Sequence, residues 1–229
     1  MATELQAARA REEALIREKS ELLARREIVA EEFEHRLLNS LQIVISLLSL
    51  QSRTAGPEVA AQLTVAASRI ASFGRVHRWL HRLDHEQSVE LKQYLEGLCE
   101  DISGLLFQGE TARTIAVDGP EIDMPSHFAM PLGFIVNELT VNSAKYARSN
   151  VTVRLATTPA AVHALSVTDD GPGLPADFDP AKSKGLGMKI IGSLVKQIDG
   201  TLHIASGESG RGARFTVTFR SPGYAANKT

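Results

Sequence analysis

The chain has 229 residues, enough for one to two domains, and 25 Lys and Arg against 27 Asp and Glu leave a net charge of −2. That balance excludes a basic protein that coats nucleic acid, and 43% hydrophobic with 23% charged residues excludes wholesale disorder. A single cysteine, Cys99, excludes an intramolecular disulfide and any Cys-rich metal site, and is expected to be a small core hydrophobe.

Residues 3 to about 53 read as one long helix rich in Ala, Leu, Glu and Arg. Ala8, Leu15, Leu22 and Val29 recur at seven-residue spacing, a coiled-coil seam weakened by Glu12, Lys19 and Arg26 at the other seam positions. From Leu37 to Leu50 the helix is apolar almost all round, which calls for burial on several sides. Gln42, Ser46 and Ser49 interrupt this stretch, so it is no membrane span, and the N-terminus lacks the apolar core of a signal peptide. These features predict a cytoplasmic protein with no membrane span. Any signal would arrive through an upstream sensor protein or a sensor domain missing from this chain. Gly56-Pro57 supplies a stop and a turn, and a second helix is expected from Pro57 to about Leu83.

The composition changes near residue 88, where Gly, Pro and β-branched runs become frequent. Leu91 to Ile102 suggests a helix, Thr114 to Val117 a short strand, and Phe128 to Ala147 a strong helix entered at Pro125-Ser126. Strands are expected over 150–157 and 162–168, paired across a turn near Pro159. A Gly/Pro/Asp loop over 169–187, a helix over 188–198 and strands over 201–205 and 213–219 complete the pattern. Helices and mostly antiparallel strands in this mixture predict an α/β sandwich with helices on one face.

Four segments carry chemistry. Asp169-Asp170-Gly171-Pro172-Gly173 follows the apolar strand 165–167, and Gly185-Leu186-Gly187 precedes a helix. Glycines allow close backbone approach, and free N–H groups at a helix start favour phosphate. On helix 128–147, Glu138, Asn142 and Lys145 fall at i, i+4 and i+7, a polar stripe on an apolar helix. A carboxylate, an amide oxygen and an ammonium on one line suit Mg²⁺ and triphosphate. Upstream, Glu34-His35-Arg36 and Asn39 stand one turn apart on the long helix. A neutral imidazole can attack a phosphoryl group near pH 7, because its ordinary pKa is about 6.5. His77 and His81 at i, i+4 could mimic a metal pair, but no third ligand is apparent.

The three later segments resemble the N, G1 and G2 boxes of the Bergerat-fold (GHKL) ATPases, the family of histidine kinases, gyrase B, Hsp90 and MutL. The Glu34 to Gln42 run resembles the H-R-x-x-N phosphoacceptor box of two-component sensor histidine kinases with a second-type HisKA domain, a group related to the HWE kinases. The Trp-x-Glu run of HWE kinases themselves is absent before Asp169, where Ser166-Val167-Thr168 stands. The resemblance covers roughly residues 30 to 220.

It implies an α plus α/β chain: a signalling helix or coiled coil over 1–30, a two-helix dimerisation and phosphotransfer hairpin over 31–88, an ATP-binding Bergerat sandwich over 89–222 and a tail over 223–229. Asp169 would accept a hydrogen bond from the adenine amino group. Asn142, with Glu138, would bind Mg²⁺, Lys145 would reach phosphate, and Tyr146 would flank the nucleotide. Gly171, Gly173, Lys184, Gly185, Leu186 and Gly187 would line the ATP site. The lid over Ala176 to Lys184 is short. His35 would be the phosphoacceptor, oriented by Asn39. Arg36 stands where many histidine kinases carry an acid and could stabilise transferring phosphate. Glu34 and Glu138 both remain candidates for the proton acceptor. The implied activity is an ATP-dependent protein histidine kinase that passes its phosphoryl group to an Asp of a response-regulator receiver domain. The alternative is a non-catalytic phosphotransfer or phosphatase protein of the same architecture. The surplus apolar surface of the 37–83 hairpin predicts a homodimer forming a four-helix bundle.

Overall fold

The computed structural model describes residues 2–83, 88–106, 114–146, 150–175, 178, 180, 186–207 and 211–220. The chain falls into two compact units, residues 1–74 and 75–229.

The first unit is a helical hairpin. Helix α1 runs over Ala2–Thr54 and α2 over Pro57–Leu83, the last turns of α2 belonging to the second unit. Pro57 takes the first position of α2, where its missing N–H costs nothing. The Gly56 carbonyl accepts the Ala60 N–H at 2.9 Å. Near the far end of the hairpin, a Cβ on Gly74 would lie 3.6 Å from Leu38 Cδ2, so the two helices approach closely there. Leu37, Leu38, Leu41, Ile45 and Leu48 are half-buried. Ile43, Val44, Leu47 and Leu50 remain exposed on α1, as do Leu15, Ile16, Leu22 and Leu23 further upstream. Among the described residues, no helix is long and apolar enough to cross a membrane.

The second unit is a five-stranded sheet with helices against one face. Its elements are β1 (Ser88–Glu90), α3 (Leu91–Leu106), β2 (Thr114–Asp118), β3 (Asp123–Pro125), α4 (Ser126–Tyr146), β4 (Asn150–Thr157), β5 (Val162–Asp169), α5 (Leu186–Gln197), β6 (Thr201–Ser206) and β7 (Ala213–Arg220). The sheet order is β2-β4-β5-β7-β6, and β1 and β3 form a separate two-stranded pair. Side chains alternate along β5 and β7, so Leu165, Val167, Phe215, Val217 and Phe219 turn inward. They meet Leu132, Ile135, Val136 and Leu139 of α4, Leu95 and Leu98 of α3, and Ile191 and Val195 of α5 in one core. Val76 and Leu80 join it from the end of α2. Cys99 lies in that core as expected, and burial pushes its thiol up to about 12.

The predicted helices and long strands are present, with small differences. Helix α5 begins at Leu186 and ends at Gln197. Its end is set by Asp199, at φ 49°, and by the Gly200 N–H donating to the Val195 carbonyl at 2.9 Å. The β4–β5 turn falls at Pro159 as expected, with Ala161 at φ 54°. Two features were not foreseen. Strand β2 pairs with β4 in parallel, Thr114 opposite Asn150, with α4 as part of the connection. Strands β1 and β3 have three residues each, too few for a period-2 pattern to register. Glu90 at the end of β1 also caps α3: its carboxylate accepts N–H bonds from Lys92 at 2.9 Å, Gln93 at 2.6 Å and Ile122 at 3.3 Å.

Candidate functional site

Strand β5 delivers Asp169 to the end of the sheet, on its helix-covered face. The side chain is only 8% exposed. A buried carboxylate is costly unless hydrogen-bonded, and this one has three donors among the described residues. Oδ1 accepts the Gly171 N–H at 3.0 Å and the Ala213 N–H at 3.2 Å, while Oδ2 accepts the Ser143 hydroxyl at 3.2 Å. A carboxylate has about four acceptor positions, so roughly one is left on Oδ2 for an incoming N–H. The neighbouring Asp170 is committed elsewhere: its Oδ2 accepts the Asn150 N–H at 3.1 Å. The structure thus separates two adjacent aspartates that sequence reading distinguished only by resemblance.

The glycine loop after β5 is stitched to the turn between β6 and β7. Gly212 donates to the Gly171 carbonyl at 2.8 Å, and Gly207 donates to the Gly212 carbonyl at 2.9 Å. Gly212 sits at φ 70°, and a Cβ there would collide with the Asp169 carbonyl oxygen. Gly173 sits at φ 85° with its missing Cβ facing the Gly212 carbonyl at 3.2 Å. Both positions therefore require glycine. Gly171 is buried and is held through its N–H rather than offering it to a ligand.

Helix α4 packs against both β5 and α5. It presents Glu138 and Asn142 half-buried, one turn apart, and Asn142 directly precedes the Ser143 that holds Asp169. One carboxylate and one amide oxygen at this spacing are the hard oxygen donors that a divalent cation such as Mg²⁺ takes. Asn137, 1% exposed, accepts a hydrogen bond from Arg75 Nη2 at 3.4 Å on its Oδ1. Its buried Nδ2 has no partner among the described residues. Burial draws the Arg75 guanidinium down from its ordinary value, opposed by Asp101. Leu186 is exposed at the first turn of α5 and Gly187 is buried beside it. The expected roles of Lys145, Tyr146, Lys184 and Gly185 rest on side chains or positions outside the described residues, as does most of the 176–184 lid.

Two groups on Asp169 escaped sequence reading. Ser143 reads as a small polar residue of a helix, and Ala213 contributes only its backbone. The hint for Ala213 was the glycine at 212, which reads as a simple turn until its close approach to Asp169 is seen.

The second candidate centre lies on α1. His35 is exposed, Glu34 is half-buried, and Asn39 is exposed one turn on. Arg36 Nε pairs with Glu32 Oε1 at 2.7 Å, so in this state the guanidinium is turned toward the preceding helical turn. The imidazole is reachable from solvent. Among the described residues no group of three or more His, Cys, Asp or Glu could hold a metal ion.

Comparison with known proteins matches the two segments that carry these residues. Residues 32–106 fit the model of a family described as "Histidine kinase", and residues 129–223 fit that of the "Histidine kinase-, DNA gyrase B-, and HSP90-like ATPase" family. The chain is 26% identical over 188 residues to blue-light-activated histidine kinase 2 of Erythrobacter litoralis, covering 78% of this chain and 54% of that protein. It is 29% identical over 195 residues to the sensor histidine kinase PdtaS of Mycobacterium tuberculosis, covering 82% of this chain and 38% of that protein. The chain thus matches about half or less of these relatives' lengths. Among solved structures, the histidine kinase domain of the Erythrobacter litoralis EL346 blue-light-activated histidine kinase superposes with a TM-score of 0.59 at 19% identity, covering 79% of this chain and 95% of that one.

Proposed function

Starting from a chain that belongs to the histidine kinase family, we propose that it uses ATP to phosphorylate its own His35 and passes the phosphoryl group to an aspartate of a response-regulator receiver domain. The observation that carries the reading is the buried Asp169 carboxylate, fixed by Ser143, Gly171 and Ala213 with one acceptor position unused. A fixed, acceptor-only group of this kind suits an adenine amino group. When bound, Mg²⁺ would neutralise charge on the transferring phosphoryl group. Asn142 and Glu138 would hold the ion, with Lys145 and Lys184 toward phosphate and Tyr146 flanking the nucleotide. Gly173, Gly185, Leu186 and Gly187 would shape the walls.

Transfer of this kind needs positioning and charge neutralisation more than covalent chemistry from the protein. His35 is exposed and offers a ring nitrogen without deep deprotonation. Asn39 would orient the ring. Glu34 and Glu138 are the two candidate carboxylates for taking the imidazole proton, and Arg36 would leave Glu32 to meet the phosphate. The receiver domain would dock on the helical hairpin of a homodimer. Residues 1–30 would bring the signal from an upstream sensor.

Incubation with γ-labelled ATP and Mg²⁺ tests this. The label should be acid-labile and base-stable, and His35→Ala should retain ATP binding and lose the label. Full labelling of that variant refutes the assignment. Asp169→Asn should weaken ATP binding by about 1.5–3 kcal/mol, roughly tenfold to a hundredfold, as read by calorimetry.

A further inference from the structure

Asn137 is an amide in a place that suits a hydrocarbon. It lies on α4 in a run with buried Ile135, Val136 and Leu139, and it is 1% exposed. Its Oδ1 accepts from Arg75 Nη2 at 3.4 Å, and its buried Nδ2 has no partner among the described residues. A buried donor left unmade costs stability that an apolar side chain of the same shape would not. A leucine would therefore sit here at lower cost, and the contact made by Oδ1 is what the amide supplies. The other party to that contact, Arg75, is the first residue of the second unit and stands on the last turns of α2. Those turns are seated in the same core by Val76 and Leu80. Trp79, one turn from Arg75, donates its indole N–H to Asp101 of α3 at 2.7 Å. Asp101 also favours the charge on Arg75, which burial opposes.

Helix α4 has reason to need such a tie. Pro131 inside it removes one internal N–H bond, and Gly133 follows two residues later. Thr140 Oγ1 donates back to the carbonyls of Val136 at 2.7 Å and Asn137 at 3.1 Å, a pattern that bends helices. The line of the helix around Asn137 is therefore set from outside, and the next residue is Glu138. Ser143, which holds Asp169, lies about 9 Å further along the axis at 1.5 Å per residue.

We propose that Arg75 and Asn137 are positioning residues for phosphoryl transfer, their contact fixing the stretch of α4 that carries Glu138. This rests on the roles proposed above for His35 and Glu138. Misplacing a reacting group by about 1 Å can cost a hundredfold in rate. The donors that fix Asp169 stand further along α4 and on other segments, so nucleotide affinity depends on this contact much less. Losing the contact slows transfer and leaves binding nearly unchanged.

The test uses the full chain with Mg²⁺ and compares Arg75→Met, Asn137→Leu and the double variant with the unaltered protein. The single-turnover rate of His35 labelling is measured at saturating γ-labelled ATP. Calorimetry gives the affinity of a non-hydrolysable ATP analogue, and circular dichroism gives the thermal midpoint. Each single variant should label at least tenfold more slowly while analogue affinity changes less than threefold. The double variant should be no slower than the slower single variant, because one contact is lost only once. Both buried polar groups are then gone, so it should be at least as stable as Arg75→Met, and it keeps the rate comparison open if a single variant fails to fold. A smaller loss of rate, a comparable fall in affinity, or losses that multiply in the double variant would overturn the proposal. Trp79→Phe removes the neighbouring hydrogen bond to Asp101 without altering the Arg75–Asn137 pair. Equal slowing in that variant would reduce Arg75 to general support of the junction and overturn the proposal as well. An unaltered chain that takes no label refutes the His35 reading, and the proposal falls with it; equal rates in chain and variants refute the proposal alone.

Discussion

Ser143 shows how much of a candidate nucleotide pocket can depend on a residue that makes no motif. Among the described residues its hydroxyl is one of three donors on Asp169, and the only one from a side chain. Ser143→Ala should lower ATP affinity by about 1 kcal/mol, or roughly fivefold, because a neutral hydrogen bond orients the carboxylate. In the Asp169→Asn background the same change should cost much less, a non-additivity that a double-mutant cycle by calorimetry would read. His163 supplies a pH signature of a different kind. Its Nδ1 lies 3.0 Å from Thr157 Oγ1, and its ring packs 5.5 Å from that of Phe219. Burial draws its imidazole below the ordinary value. The unfolded chain then takes up the proton first, so the contribution is complete above about pH 6.5 and is lost as pH falls through the lowered folded value. Urea midpoints of the native chain should fall more steeply between about pH 7 and 5 than those of His163→Gln. Asp169 could be singled out in the sequence because a D-x-G-x-G run carries its own glycines. Ser143 was not, because hydrogen bonds between distant segments leave no periodicity.

Helix α3 and the end of α2 meet at a glycine. A Cβ on Gly97 would overlap the six-membered ring of Trp79, whose indole N–H donates to Asp101 Oδ2 at 2.7 Å. Gly97→Ala must displace that ring and break the hydrogen bond, a loss of about 1–3 kcal/mol in denaturant titration, with quenched or shifted Trp79 fluorescence. Tyr94 lies equally close to Gly133 of α4. These contacts explain why α3 could be read as a helix from its apolar spacing while its partners could not. Strand β2 illustrates the same limit. Its β-branched residues announced a strand, but a parallel partner beyond a helix is set by the whole sheet rather than by the segment. The antiparallel pair β4–β5 was legible because its turn lies within the same stretch of sequence.

The hairpin of the first unit leaves more apolar surface than one partner helix covers. Val44 is 41% exposed and Leu47 55% exposed, beside half-buried Leu41, Ile45 and Leu48. Each such side chain is worth about 1.5–3 kcal/mol on full burial. That surplus supports the proposed homodimer through a second copy of the hairpin. Light scattering at micromolar concentration should give twice the 24.8 kDa chain mass, falling to the single-chain value for Leu47→Glu. A single-chain mass for the unaltered protein would refute the dimer. The apolar residues around Leu15 and Leu22 continue the same surface upstream, which a seven-residue spacing made legible and the charged residues between them partly masked.

The fastening of Asp169 to Ala213 also carries a timetable. Ribosomes deliver the chain from its N-terminus, and residues far apart in sequence meet only after a long loop has closed. Helix α4, with Glu138, Asn142 and Ser143, emerges well before β5, and Asp169 emerges well before β7. Until Ala213 has left the tunnel, Oδ1 lacks one of its two backbone donors and the glycine loop has no turn to fasten to. A nascent chain stopped within α5 would hold every acidic and amide side chain expected to touch ATP and Mg²⁺, yet lack the strand that holds Asp169, the proposed adenine acceptor, in place. On the proposed role of Asp169, a chain without β7 would hold nucleotide less firmly than the finished one, and pairing of the last strand would complete the pocket.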